Sequence, residues 1–311
     1  MISRVYLRTI IAWAAFSLIA FGSGSICCAQ KTLAWKFKRD GVTNVLIEQD
    51  TSLQMENAGS ATLAANQTQT IQTTNVTWTV TEISPDGLAS IEQTIQRVQL
   101  DLKSSAGNFA IDTNDNQKLT GLGESVARGI RPLAGSRFVV KTMPNGEVVE
   151  VVIPEDVSKK LSEGSGALGE AGLREIAVNG SLRFPAKSIE VGESWTSQYQ
   201  LDMPPFGKLI VSTTYQYLGE ENGSGKVLDR IKATTAVKIA DATSNSGLKL
   251  TSQESGGMVW FDNNRGSIDH SEFKQDMTLN VVRPSVDPTK PALDLKQVMK
   301  QTMKLKYTPS L

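Results

Sequence analysis

His270 is the only histidine in the 311-residue chain, which limits the chemistry that the sequence can support. A zinc site would find no second imidazole, and a Ser-His-Asp triad would have to use His270. Asp269 and Ser271 flank it, but neighbouring side chains of a strand point to opposite faces of a sheet. We therefore expect a solvated histidine without a catalytic role.

Two short patterns match functional motifs by spacing alone. Residues 164–169, Gly-Ser-Gly-Ala-Leu-Gly, have the G-x-G-x-x-G spacing of dinucleotide sites. Such a loop follows a buried strand, whereas a lysine-rich helical segment precedes this one. Ser271 and Lys274 have the catalytic S-x-x-K spacing, but the partner motifs S-D-N and K-T-G are missing. We predict that the protein uses no cofactor.

Acidic residues form two similar clusters. Residues 112–117 begin like an EF-hand loop, but Gln117 stands where that loop needs glycine and Gly123 where it needs glutamate. Residues 262–266 repeat the pattern, so we interpret both clusters as Asx turns that close hairpins, with weak calcium binding as the alternative. Glu48 and Asp50 share one face of a strand, and no sequence pattern brings an acid pair to glycosidase separation. The sequence designates no catalytic, cofactor-binding or metal-binding residue.

The first 29 residues are typical of a secretory signal peptide. Arg4 and Arg8 precede an apolar run over residues 9–22, and small residues then lead to Ala29. The apolar run is short for a membrane span, which disfavours the alternative of an uncleaved anchor. We expect cleavage after Ala29 and export to the periplasm or the extracellular space, with no transmembrane segment in the mature chain.

Both cysteines, Cys27 and Cys28, precede the expected cleavage site. The mature chain would therefore contain no disulfide, which a chain of this length tolerates because it can bury a sizeable core. Acylation of one of these cysteines is the alternative. Neither has Leu or Val three positions upstream, so the lipoprotein alternative is disfavoured.

Composition excludes one class of partner. Lys+Arg and Asp+Glu each count 32, and removal of residues 1–29 deletes Arg4 and Arg8, leaving a net charge of −2. A mildly acidic chain without a basic block argues against nucleic-acid binding. Hydrophobic residues make up 40% and aromatic residues 6%, which favours a core of Val, Ile and Leu.

Periodicity predicts antiparallel strands in both halves of the chain. Residues 74–83 alternate, and Ser-Pro-Asp-Gly at 84–87 predicts a turn. Residues 88–103 fit either a helical stripe or a long strand with a bulge. The second half repeats this order, with strands at 208–218 and 226–240 around a polar turn at 219–225. Comparison of the two halves of the chain therefore favours a strand for residues 88–103.

Other patterns predict helices and a final strand. Apolar spacing over residues 119–133 predicts a helix, and Pro-Glu-Asp at 154–156 opens a second short one. Residues 173–178 are predicted to form a further short helix. The last segment alternates Met303, Leu305 and Tyr307 with lysines, which predicts an edge strand protected by charge. A C-terminal helix beginning near Asp294 is the alternative.

We predict an α+β fold dominated by β-structure, with two related antiparallel sheet units that suggest a duplication and a few intervening helices. Residues 1–29 would be the signal peptide and 30–163 the first β unit with its helix. A Gly/Ser-rich and short helical connection would cover 164–185, and 186–311 would form the second β unit.

Four segments resemble a bacterial family of secreted, signal-peptide-bearing proteins of unknown function. They are residues 33–37, 93–98, 189–195 and 257–262, which include Leu-Ala-Trp-Lys-Phe and Gly-Met-Val-Trp-Phe-Asp. The resemblance spans most of the mature chain. The family carries no assigned activity or binding residues, so the resemblance implies no residue roles.

We expect an exported, non-catalytic protein, either a carrier for an apolar small molecule or a scaffold of the cell envelope. A carrier should contain an apolar cavity between sheet and helices, whereas a scaffold should expose an extended apolar patch. The alternative is a hydrolase that uses carboxylates assembled by folding.

Overall fold

A computed structural model describes residues 30–57, 66–105, 107–163, 174, 177–178, 181–203, 207–223, 225–239, 248–283 and 293–309. The strands in these ranges are β1 (Val42–Asn57), β2 (Asn66–Ile83), β3 (Ala89–Ser104), β4 (Gly107–Asp112), β5 (Arg137–Thr142), β6 (Val148–Val152), β7 (Ser194–Met203), β8 (Gly207–Gly223), β9 (Lys226–Ile239), β10 (Leu248–Asp262), β11 (Ser267–Arg283) and β12 (Leu293–Pro309). The helices are α1 (Leu122–Ile130) and α2 (Glu155–Glu163), and a 3₁₀ turn, Arg131–Leu133, follows α1.

All twelve strands form one antiparallel sheet in the order β6-β5-β3-β2-β1-β12-β11-β10-β9-β8-β7, with β4 beside β5 on the edge of β3. The chain therefore builds outward from β1 to β6, crosses to the opposite edge at β7 and returns to β12. The predicted β-dominated, antiparallel fold is confirmed. The expected division into two sheets is wrong, because β1 pairs with β12 from Thr43↔Pro309 to Asn57↔Leu295, and the duplication is not shown.

The ambiguous segment over residues 88–103 is a strand with a bulge. It forms most of β3, which pairs with β2 through the turn in which Gly87 has a φ of 87°. The register shifts between Asn75 and Val76 and again between Val80 and Glu82. Each bulge increases the local twist, so apolar residues at mixed spacings still reach one face.

The C-terminal segment is neither an edge strand nor a helix. β12 pairs with β1 on one side and with β11 on the other, so it lies in the middle of the sheet. Lys304 and Lys306 are exposed on one face, whereas Tyr307 is buried on the other. The interpretation of these lysines as edge protection is therefore wrong, and they solvate one face of a central strand.

The two main helices form where predicted, with shorter bounds. α1 ends at Ile130 and tightens into the 3₁₀ turn, because Pro132 cannot donate a backbone N–H to a continuing helix. Of the short helix predicted at 173–178, Arg174, Ala177 and Val178 are described, and all three are helical. The polar turn predicted at 219–225 is also shorter, because β8 continues to Gly223. Among the described residues, no helix is long and apolar enough to cross a membrane.

The sheet curls until one segment bridges its two edges. Its eleven consecutively paired strands would span about 48 Å if the sheet were flat. Phe184, between β6 and β7, nevertheless reaches both sides. Its N–H donates to the carbonyl of Asn145 in the β5–β6 turn at 2.7 Å, and its ring centroid lies 6.4 Å from that of Trp195 in β7. The curl makes one face of the sheet, which we call the inner face, concave toward the bridging segment; the opposite face is the outer face.

The hydrophobic core lies on the inner face and draws on both halves of the chain. Fully buried members include Val98 from β3, Ile231 from β9 and Phe261 from β10. The segment 30–41, which we call the N-terminal strap, adds Leu33 and Trp35 to the same cluster. The halves therefore share one core, which the strap helps to close.

We predict that Gly266→Ala destabilises the protein by about 2–4 kcal/mol. An added Cβ would lie 2.3 Å from the backbone nitrogen of Lys36 in the strap, and Gly266 has a φ of +66°. Gly225→Ala is the matched control, because Gly225 has a φ of +77° in another hairpin turn with nothing within 4 Å of its added Cβ. Urea unfolding of both variants measures the difference. Equal losses would contradict the close approach of strap and turn.

Candidate functional site

The N-terminal strap crosses the inner face at one end of the curled sheet. Its backbone is hydrogen-bonded along its length, through Lys31 with Ile189 (2.9 Å), Trp35 with Pro144 (2.8 Å), Lys36 with Gly266 (3.0 Å) and Asp40 with Val80 (2.9 Å). These partners belong to widely separated parts of the sheet and its connections. The strap thus closes this end of the concave face.

Alternation along the strap sorts its side chains by polarity. Trp35 is 8% exposed and donates its indole N–H to the carbonyl of Leu182 at 3.0 Å. Its ring packs edge-to-face on Phe261 at 5.7 Å and parallel to Phe37 at 6.4 Å. Lys36 between them is exposed. The strap therefore presents an aromatic surface inward and a charged surface to solvent.

An apolar cavity of about 160 Å³ lies between the strap and the inner face; we call it the inner cavity. Three of its lining side chains are polar and uncharged, namely Gln93, Thr142 and Ser181. The others are apolar or aromatic: Trp35, Phe37, Val45, Ile47, Val76, Trp78, Ile91, Phe138, Val140, Val148, Ala177, Ile268, Leu305 and Tyr307. The inner cavity suits an apolar ligand with at most a few hydrogen bonds.

A second cavity of about 520 Å³, which we call the mouth, adjoins the inner cavity. The two share the side chains Trp35, Phe37, Trp78, Ile91 and Tyr307. Lys36, Lys38, Arg39, Asp40 and Arg265 add charge to the mouth alone. The five shared side chains make the two cavities neighbours, one with an apolar lining and the other with a charged rim.

A buried ion pair anchors the beginning of the strap. The carboxylate of Asp229 is 1% exposed, and it lies 2.8 Å from the Lys31 ammonium. It also accepts a hydrogen bond of 2.7 Å from the hydroxyl of Tyr217. Lys31 forms a second ion pair with Glu220. Burial lowers the pKa of Lys31, but its hydrogen bonds to Asp229 and Glu220 together raise it above the ordinary 10.5.

His270 lies on the outer face, away from the cavities. Its ring stacks on Trp260 with centroids 4.3 Å apart, and its Nδ1 lies 2.9 Å from a carboxylate oxygen of Asp269. Ser271 is 4% exposed and faces the core, so strand alternation separates it from His270 as expected. Burial raises the pKa of Asp269, but hydrogen bonds from Lys226 and His270 lower it overall.

The other motifs chosen from sequence are not assembled into a site. Ser271 is buried, while Lys274 is exposed on the outer face, so the S-x-x-K pair is split. Glu48 and Asp50 are exposed on the outer face opposite Lys304 and Thr302. Residues 164–169, with the G-x-G-x-x-G spacing, and residues 1–29, the predicted signal peptide, lie outside the described residues.

The first acidic cluster forms an Asx turn, as predicted, and the second forms a related turn in which the carboxylate accepts the N–H three residues along the chain instead of two. Asp112 accepts the N–H of Asn114, and Asp262 accepts the N–H of Arg265, each at 3.0 Å. The second turn closes the β10–β11 hairpin, but the first leads toward α1 and closes none. The Arg97 guanidinium lowers the pKa of Asp112 to about 2. Within the part of the chain that the structure describes, no group of three or more potential ligands could hold a metal ion.

Sequence reasoning missed the inner cavity and the role of the strap. A signal was present in the alternation of Leu33, Trp35 and Phe37 with Lys36 and Lys38 just after the expected cleavage site. This pattern indicates a half-buried extended segment. It does not indicate which other segments the strap would contact.

Comparisons with known proteins leave the family open. No family model and no curated protein matches the chain. A solved structure titled "Lipid-protein interactions in lipovitellin" is similar over 88% of this chain at 12% identity and a TM-score of 0.48. This chain spans 25% of that lipovitellin chain.

Two further solved structures show weaker similarity. The COG4313 outer membrane channel from Pseudomonas putida F1 is 8% identical with a TM-score of 0.26, over 88% of this chain and 97% of the channel. DynF from the dynemicin biosynthesis pathway of Micromonospora chersina is 9% identical with a TM-score of 0.18, over 88% and 85%. These similarities, like that to lipovitellin, are too low to support a functional argument.

We predict that Lys31→Met destabilises the protein by about 2–4 kcal/mol near neutral pH, because it leaves Asp229 buried without its cation. The double variant Lys31→Met, Asp229→Asn should recover part of this loss, since it also removes the buried charge. Urea unfolding measures both.

The same variant should show a characteristic pH dependence. A raised folded-state pKa means that the Lys31 contribution is complete below the ordinary value of 10.5 and is lost as the pH rises through the folded value. The stability difference between wild type and Lys31→Met should therefore shrink above pH 10.5. A difference that stayed constant across this window would show that the ammonium is not coupled to folding.

Proposed function

We propose that this chain is an exported, non-catalytic carrier that shelters an apolar ligand in the inner cavity. The observation that carries the proposal is a cavity of about 160 Å³, walled by apolar and aromatic side chains and adjoining the mouth. Export is part of the proposal and rests on the signal-peptide pattern of residues 1–29.

The size and lining of the inner cavity favour a binding role. Protein interiors are close-packed, and few voids larger than a water molecule persist in them. Apolar side chains around an incompletely filled volume of about 160 Å³ lack packing contacts that a bound apolar molecule would supply. Apolar cavities near this size accept small apolar molecules.

The lining also favours storage over chemistry. Tyr307 is the only titratable residue among the described residues that line the inner cavity, and burial raises its pKa far above neutrality. The hydroxyl of Ser181 is used in a hydrogen bond of 2.6 Å to the carbonyl of Gly146. Proton transfer near neutral pH would need a group that titrates there. These side chains can hold and orient a ligand.

The other two candidate functions gain less support. The large exposed hydrophobic side chains of the described residues are spread over different elements, including Met55 in β1, Leu122 in α1 and Val227 in β9. An envelope scaffold would instead use one extended patch. Among the described residues, the carboxyl groups with shifted pKa values, namely Asp86, Asp112, Glu193 and Asp269, are all shifted downward. A hydrolase would need an acid with a raised pKa.

We predict that the neutral dye Nile red binds the folded protein across the inner cavity and the adjoining mouth, and that Ala177→Leu weakens binding about tenfold by filling the inner cavity. Ala177 lines that cavity. Ala110→Leu is the matched control, because Ala110 is exposed in β4 and does not line the cavity. Fluorescence titration measures all three proteins, with circular dichroism to confirm folding.

Two outcomes would contradict the carrier function. One is a folded wild type that does not enhance Nile red fluorescence, and the other is equal weakening by Ala177→Leu and Ala110→Leu. Native mass spectrometry of the protein recovered from its own host, followed by organic extraction, would then identify the natural ligand of a confirmed carrier.

A further inference from the structure

We propose that the ligand is an anionic amphiphile, with its apolar chain in the inner cavity and its negative head in the mouth. This inference rests on the proposed carrier function and adds the chemical class of the ligand. The head would lie among four cationic side chains that line the mouth, namely Lys36, Lys38, Arg39 and Arg265.

The charge of the mouth is opposite in sign to that of the mature chain. One acid, Asp40, lines the mouth beside the four cations, whereas the mature sequence carries a net charge of −2. Lys36, Lys38 and Arg39 are exposed, and none forms an ion pair with another described residue. Cations that are not neutralised by the protein are available to a bound anion, and their field attracts anions to the mouth.

The fold holds these cations at the rim. The N–H of Asp40 donates to the carbonyl of Val80 at 2.9 Å, and the N–H of Gly41 donates to the carbonyl of Lys38 at 2.9 Å. Asp40 has a φ of 61°, so the chain turns sharply at this point. The turn fixes the backbone that carries Lys38 and Arg39 against the end of β2.

Arg265 approaches the mouth from the opposite side, in the β10–β11 turn. Its guanidinium is held by Ser267, whose hydroxyl lies 3.0 Å from Nη2, and by Asp262, whose carboxylate lies 3.7 Å from Nε. Two separate segments therefore supply positive charge to one opening. A head group in the mouth would be flanked by cations from both.

The boundary between apolar and charged walls matches the shape of an amphiphile. Within the strap, Trp35 and Phe37 line both cavities, while Lys36 and Lys38 line the mouth alone. A molecule that reaches from the inner cavity to the surface passes aromatic rings first and ammonium groups next. A neutral apolar ligand would make no ionic contact with the cationic groups that line the mouth.

Dodecanoate, dodecyl phosphate and dodecanol test the inference, because they share one chain and differ in the head. We compare their displacement of Nile red from wild type and from the triple variant Lys36→Gln, Lys38→Gln, Arg39→Gln. The matched control is Lys300→Gln, Lys304→Gln, Lys306→Gln, which removes the same charge from β12 on the outer face. Folding of each variant is checked by its urea unfolding midpoint.

We expect the mouth variant to bind the anions about tenfold more weakly, with dodecanol unchanged and the control variant like wild type. A preference for dodecanoate or for dodecyl phosphate would distinguish a carboxylate head from a phosphate head. Equal anion binding by wild type and the mouth variant, with dodecanol still bound, would overturn this inference and leave the carrier function standing. Failure of all three compounds to displace Nile red would contradict the carrier function, and the inference about the ligand would fail with it.

Discussion

The structure depends on a line of aromatic contacts that holds the curled sheet together across its opening. Phe184 packs edge-to-face on Phe261 at 4.8 Å and contacts Trp195 at 6.4 Å, and Phe261 in turn contacts Trp35 at 5.7 Å. Trp195 stacks on Tyr215 at 5.5 Å. These rings belong to β7, β8, β10, the strap and the connection between β6 and β7. The backbone N–H groups of Phe184 and Trp35 then link this line to the β5–β6 turn, through the carbonyls of Asn145 and Pro144. Their burial favours the curled state, in which a wide sheet covers its own apolar face.

Two tryptophan side chains, Trp35 and Trp195, provide hydrogen-bond donors for backbone carbonyls of the bridging segment between β6 and β7. Trp35 donates to the carbonyl of Leu182 at 3.0 Å, and Trp195 donates to the carbonyl of Arg183 at 2.6 Å. Irregular backbone inside a core would otherwise leave polar groups without partners. The same side chains thus supply apolar contact area and two required hydrogen bonds, and the inner cavity remains beside them, where the strap covers the sheet without filling it.

Local predictions from the sequence succeeded where neighbouring residues decide the conformation. The turn at 84–87, α2 and the side-chain hydrogen bonds of the two acidic clusters depend on proline, glycine, Asx side chains and short-range periodicity, all of which can be recognised in the local sequence. The predictions that failed concern which strands pair with each other. The sequence of β12 alternates as predicted, but edge strands and central strands alternate in the same way. The alternation shows on which face of the sheet each side chain lies and does not show which strands lie on either side.

The sequence by itself determined that residues 30–311 alternate in the pattern of antiparallel strands with sorted faces, that they contain no cysteine, and that His270 has no second imidazole to join. Only the tertiary structure decided that twelve strands form one sheet, that Lys31 meets Asp229, and that the strap closes a cavity. The physical reason is the range of the interactions. Periodicity and turn chemistry act over a few residues, whereas the strap contacts residues more than 100 positions away, whose positions depend on how the whole sheet curls.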